Sequence, residues 1–158
     1  MRRFAIRAAA VIAATLVLAG CAGTEQEQRG PEGPNGYSLS ATFDDGSMLW
    51  WDRSPESGLT DLIVTDSTGF RSGTCLSGEP LYCVAGPSEA QVVLVIAPEG
   101  AERAVMSWFG EDVELVRGET SGEGAPPVFG GVMPPPADLE AGYHLEVLDG
   151  AGEVVFTS

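Results

Sequence analysis

Val92-Val93-Leu94-Val95-Ile96 is an unbroken run of five aliphatic residues, closed shortly afterwards by the turn residues Pro98-Glu99-Gly100. Successive side chains of a strand point to opposite faces of its sheet, so a strand with one wet face alternates apolar and polar residues. This run does not alternate. It reads as a central strand covered on both faces, and as the core of the fold.

Outward from it the hydrophobic period is two, and turn residues punctuate short strands. Tyr37, Leu39, Ala41 and Phe43 alternate with Ser38, Ser40 and Thr42, which predicts a strand with the first set buried and the second wet. Asp44-Asp45-Gly46-Ser47 reads as a hairpin turn into Met48-Leu49-Trp50-Trp51. Thr60 to Thr65 gives a third strand, ended by Asp66-Ser67-Thr68-Gly69. Downstream, Arg103 to Phe109 and Asp112 to Val116 form two strands broken at Gly110. Tyr143 to Leu148 pairs with Glu153 to Thr157 across Asp149-Gly150-Ala151-Gly152. Gly118 to Asp138 is rich in glycine and proline and reads as a long surface loop holding a short strand around Val128-Phe129. A sustained 3.6-residue period is found nowhere in this region, so the expectation is all-β. About eight or nine short strands over residues 37–158 predict an immunoglobulin-like two-sheet sandwich.

The first 36 residues are of another kind. Arg2, Arg3 and Arg7 lead an apolar stretch from Ala8 to Leu18, and the small residues Ala19 and Gly20 precede Cys21. That order is the one an export signal needs. Thirteen residues separate Arg7 from Cys21, short of the roughly 20 that span a bilayer. Leu18-Ala19-Gly20-Cys21 resembles the lipobox of bacterial lipoproteins. The resemblance implies that residues 1–20 are a signal peptide cut before Cys21, which then carries a diacylglyceryl thioether and holds the protein at the extracytoplasmic face of the cell membrane. Two acyl chains suffice for stable attachment. Residues 21–36 continue as the lipidated cysteine and a flexible linker, AGTEQEQRGPEGPNG after the cysteine, with a reach of roughly 20 Å. The segments AQVVLVIAPEG, RAVMSWFG and GYHLEVLDGAGEVV also look similar to small β domains of exported bacterial proteins.

Charge narrows the partners. The chain carries 8 arginines, no lysine and 23 acids. Loss of residues 1–20 removes three of the arginines and no acid, which leaves a net charge of −18. Nucleic acid would repel such a protein. With Cys21 lipidated, Cys75 and Cys83 remain as an even pair in an exported protein, and a disulfide is expected. The turn-like stretch between them suggests that it staples the ends of a hairpin. True immunoglobulin domains instead bridge two distant strands with a tryptophan between.

Chemistry-bearing residues are scattered. His144, the single histidine, shares a strand face with Glu146, opposite Tyr143, Leu145 and Val147, and should face solvent. A metal site would have to combine His144 with Met48, Met106 or Met133, residues the chain does not cluster. Asp44-Asp45, Glu111-Asp112-Glu114 and Asp149 with Glu153 offer oxygen ligands for calcium, but acids at such places ordinarily fill turns and solvated faces. A Ser-His-Asp arrangement would need His144, and no GxSxG or cofactor-binding motif is present. Adjacent aromatic pairs, Trp50-Trp51 and Trp108-Phe109, each point one ring inward and one outward. Trp50 or Trp51 with Phe109, near Val128 to Pro136, forms the candidate interaction surface for an extracellular protein or cell-wall glycan. The expectation is a membrane-tethered, non-catalytic binding or interaction module. A metal-carrying surface protein is the alternative, and a cell-wall hydrolase stands further off.

Overall fold

The computed structural model describes residues 33–88 and 90–158. The expected signal peptide, the lipidation site Cys21 and most of the linker lie outside the described residues. Twelve strands and no helix are found among those described: β1 (Ser38–Thr42), β2 (Met48–Arg53), β3 (Thr60–Thr65), β4 (Arg71–Ser77), β5 (Leu81–Ala85), β6 (Val92–Ile96), β7 (Ala101–Trp108), β8 (Glu111–Glu114), β9 (Val116–Gly118), β10 (Val128–Val132), β11 (Tyr143–Asp149) and β12 (Val154–Thr157). Every pairing is antiparallel. The strands form three four-stranded sheets, in the orders β1-β2-β3-β4, β5-β6-β10-β9 and β12-β11-β7-β8.

The sheets stack as three layers, with the second in the middle. On β6, Val92, Leu94 and Ile96 pack against Leu49, Trp51, Leu62 and Val64 of the first sheet. Val93 and Val95 pack against Ala104, Met106, Trp108, Leu145 and Val147 of the third. All five β6 side chains are buried, and each contributes about 1.5–3 kcal/mol of hydrophobic stabilisation. The all-β sandwich expected from the sequence is therefore present, but the two-sheet count is corrected to three. A strand apolar on both faces needs a layer on each side, and a pair of sheets cannot supply that.

The short strand expected around Val128-Phe129 is present as β10, but it is a buried central strand of the middle layer and not part of a surface loop. β10 pairs with β6 on one side and β9 on the other. Val128 faces the first sheet and Phe129 the third. Its glycines leave room for neighbours: a Cβ on Gly130 would lie 3.1 Å from the Phe43 ring, and one on Gly131 would lie 3.0 Å from Leu115 Cδ2. Leu115 itself is where the chain leaves β8 in the third sheet and enters β9 in the second.

Two other expectations change. The pairing of β1 with β2 slips between Leu39 and Ala41, so the alternation inverts part-way. Ala41 and Phe43 join the core, Leu39 is 38% exposed, and Ser40 is 5% exposed. Ser40 is buried because it meets the chain just after β9, the edge strand of the middle sheet: its carbonyl accepts the Glu119 amide at 2.8 Å and its hydroxyl donates to the Glu119 carbonyl. The second change concerns the disulfide. Cys75 and Cys83 are bonded, but β4 and β5 belong to different sheets. The bridge closes the first sheet onto the middle one at a corner where the chain turns between layers, instead of stapling a hairpin.

Candidate binding site

The structure does not assemble the aromatic surface expected from the sequence. Trp50 is 3% and Trp51 7% exposed. Trp51 lies in the core between the first and middle sheets. Trp50 is on the opposite face, where its Nε1 donates to Thr65 Oγ1 at 2.9 Å and the backbone at Gly33 lies so close over its ring that a Cβ there would overlap it. The last residues assigned to the linker thus belong to the domain, and they cover Trp50. Tyr37 strengthens this strap by donating its hydroxyl to Asp61 at 2.5 Å. Burial, then the bond to Asp61 and its negative charge, push the Tyr37 hydroxyl up to about 12. Phe109 sits in the third sheet's β7–β8 turn, half-buried, with its ring against Trp108 at 4.8 Å and Tyr143 at 5.7 Å.

The metal-ligating candidates are likewise apart. His144 is exposed, with Nδ1 2.9 Å from the Ser158 carbonyl and Nε2 3.6 Å from Glu146. Met106 on β7 and Met133 just after β10 are core residues, and Met48 lies in the first sheet. Among the described residues no three His, Cys, Asp or Glu side chains gather as a metal site. The acids have local work. Asp45 accepts the Ser47 amide, and Asp149 accepts the amides of Ala151 and Glu153, each at 2.9 Å. Asp66 accepts from the Thr68 hydroxyl and the Phe70 amide, bonds that hold its carboxyl below the usual range. Arg103, paired with Glu114 at 2.7 Å, lowers that carboxyl in the same way.

One end of the sandwich offers a different constellation. Arg53 is the last residue of β2, before a turn closed by the Ser54 amide to the Leu59 carbonyl at 3.0 Å. The 119–127 connection from β9 to β10 folds over it, through Gly122 and Gly124 at positive φ and a Thr120 hydroxyl bond to the Pro126 carbonyl. Arg53 Nη1 donates to the Gly124 carbonyl and so ties the two loops. Its side chain lines two clefts, of about 530 and 450 Å³. The first is lined by Trp51, Ser38, Ser54 and Ser121, and also by Asp52 and Glu123. Arg103 and Arg117 are neutralised by Glu114 and Glu102, whereas Arg53 has no ion-pair partner among the described residues. A guanidinium carries five donors in a planar fork. With one of them engaged by Gly124, a bidentate edge is left for a carboxylate or a similar anion.

Sequence reasoning passed over Arg53. Its signal was composition: one of only five arginines beyond the apolar leader, set directly after Trp50-Trp51-Asp52 and before Ser54-Pro55. Its partner, the Gly124 carbonyl, lies 71 residues away and has no side-chain signature. Comparison with protein-family models, characterised proteins and solved structures finds no match to this chain.

Proposed function

We propose that the protein is a lipid-anchored, extracytoplasmic binding module without a catalytic step of its own, whose recognition site is the Arg53 end of the sandwich. The anchoring half rests on Leu18-Ala19-Gly20-Cys21 after an arginine-led apolar stretch, and it places the domain at the outer face of the cell membrane. The binding half rests on one observation: a guanidinium without a carboxylate partner among the described residues faces a cleft in a chain whose acids outnumber its bases 23 to 8. The ligand that fits is a small group bearing a carboxylate, with hydroxyls for the serines of the rim and an apolar part against Trp51. A component of the cell wall or the end of an extracellular protein would offer such a group. An immunoglobulin-like relationship is a finer reading of the architecture. The stacked antiparallel sheets favour it, while the meander order of the first sheet speaks for a simpler up-and-down layout.

Melting curves with small carboxylates, among them an N-acetylated dipeptide and a uronic acid, test the site. A ligand that binds only the native state raises the melting point, by about 2.7 kcal/mol of stabilisation at a hundredfold excess over Kd. The expected result is a rise for at least one carboxylate that Arg53→Ala abolishes and Arg53→Lys reduces, because an ammonium lacks the bidentate fork. A rise unchanged in Arg53→Ala would move the site elsewhere, and no rise with any carboxylate would remove this ligand class.

A further inference from the structure

We propose that the outer edge of β12 is a docking site for a short extended segment of a partner protein that carries basic residues. Three sheets present six edges, and five of them are managed. β4 and β5 are bound to each other by the Cys75–Cys83 bridge. β1 and β9 are bound through Ser40 and Glu119. β8 reads Glu111-Asp112-Val113-Glu114, and charge guards an edge against pairing. β12 is the exception: Val154-Val155-Phe156-Thr157 holds no charged residue, and Val154 and Val155 are 52% and 40% exposed.

Among the described residues no strand pairs with the outer side of β12. The Ser158 amide donates to the Leu145 carbonyl and the Glu153 carbonyl accepts from Asp149. These bonded pairs leave Thr157, opposite Glu146, and Val154, opposite Leu148, at positions where amide and carbonyl point away from β11. An extended peptide added at this edge would gain main-chain bonds from those groups. The register slips once along β12, which keeps the regular edge short. That suits a brief peptide better than sheet-to-sheet growth.

Charge selects the occupant. Glu146 lies across from Thr157, Glu153 precedes the strand, and Asp149 ends β11. His144 Nε2 lies 3.3 Å from Thr157 Oγ1 and beside Glu146, and Arg103, opposite Leu148 on β7, is paired with Glu114. A second copy of this chain would bring the same acids, in a protein of net charge −15, against them. A segment with lysine or arginine at its ends meets them with opposite charge.

The test uses a peptide of alternating valine and threonine with lysine at both ends, and the same peptide with glutamate ends. Hydrogen exchange is followed at the amides of Val154 and Thr157. The expected result is slowed exchange at those amides with the lysine-ended peptide, with affinity at least tenfold weaker for the glutamate-ended one. Val155→Lys should lose binding by a similar factor, while Asp112→Ser on the opposite edge should not change it. Thr157→Pro removes an amide that bonds nothing within the protein, and so gives a second variant whose melting point should stay near that of the parent. Equal binding of both peptides, protection at β8 instead of β12, or no binding would overturn the proposal. So would sedimentation of the protein alone as a dimer that Val155→Lys dissolves, which would assign the edge to a second copy.

Discussion

Phe109 holds the one positive φ among the described non-glycine residues, 47°, in the turn between β7 and β8. The turn keeps it there from both sides: its amide donates to the Gly142 carbonyl at 2.7 Å, and its carbonyl accepts the Asp138 amide at 2.8 Å. A left-handed conformation costs an L-residue roughly 1–2 kcal/mol, which glycine escapes. Phe109→Gly and Phe109→Ala both lose the ring, but the glycine variant should be more stable by about 1 kcal/mol in urea midpoints, the reverse of the usual order. Equal stability would mean that the turn relaxes once the ring is gone. Tyr37 gives a second prediction at this scale. Its hydroxyl ordinarily titrates at 10.0 and is pushed to about 12 in the fold. Between those values the unfolded chain has lost the proton and the folded one keeps it, so stability falls as pH rises from 10 to 12. Melting curves across that window should fall more steeply for the parent than for Tyr37→Phe. Parallel curves would sever the strap from the Asp61 bond.

Among the elements, β6 was fully legible, while β10 was legible as a short strand around Val128-Phe129 but not as a central one, for one physical reason. A strand announces its covered faces through its own side chains, and Val92 to Ile96 states both. In that run the third layer was already implied, because each sheet of a two-layer sandwich keeps one wet face. β10 reads Val-Phe-Gly-Gly-Val, and its glycines look like loop residues because the volume they would fill is taken by Phe43, Leu49, Leu115 and Met133 from neighbouring strands. The disulfide shows the same limit: its pairing followed from parity, while its role as a bond between layers depended on where the chain turns. For a closed loop of about nine residues the chain-entropy model gives roughly 2.5 kcal/mol. Urea unfolding with and without reductant, or with Cys75→Ala and Cys83→Ala together, should show a loss near that size. A loss below about 0.5 kcal/mol would mean that Ser40–Glu119 and the core hold the sheets together unaided.

At the scale of the whole molecule, an acidic three-layer sandwich follows a segment that resembles a lipoprotein leader, and among the described residues Arg103 and Arg117 are spent on surface pairs. Exposed pairs of this kind are screened by solvent and add little, so the core, the corner bridge and the strap carry the stability. The proposed Arg53 site joins residues 71 apart in sequence and therefore was not legible as a motif, whereas the proposed β12 edge is a contiguous run whose exposure depends on the sheet order. The proposed anchor is written in a contiguous stretch, Leu18-Ala19-Gly20-Cys21, of the kind export machinery reads, and the proposed function depends on it. The most direct test is mass spectrometry of the protein recovered from a bacterial membrane. The account predicts an N-terminal peptide that begins at Cys21 and carries the mass of a diacylglyceryl thioether. A chain that still begins at Met1, or one cut elsewhere with an unmodified Cys21 thiol, would contradict it.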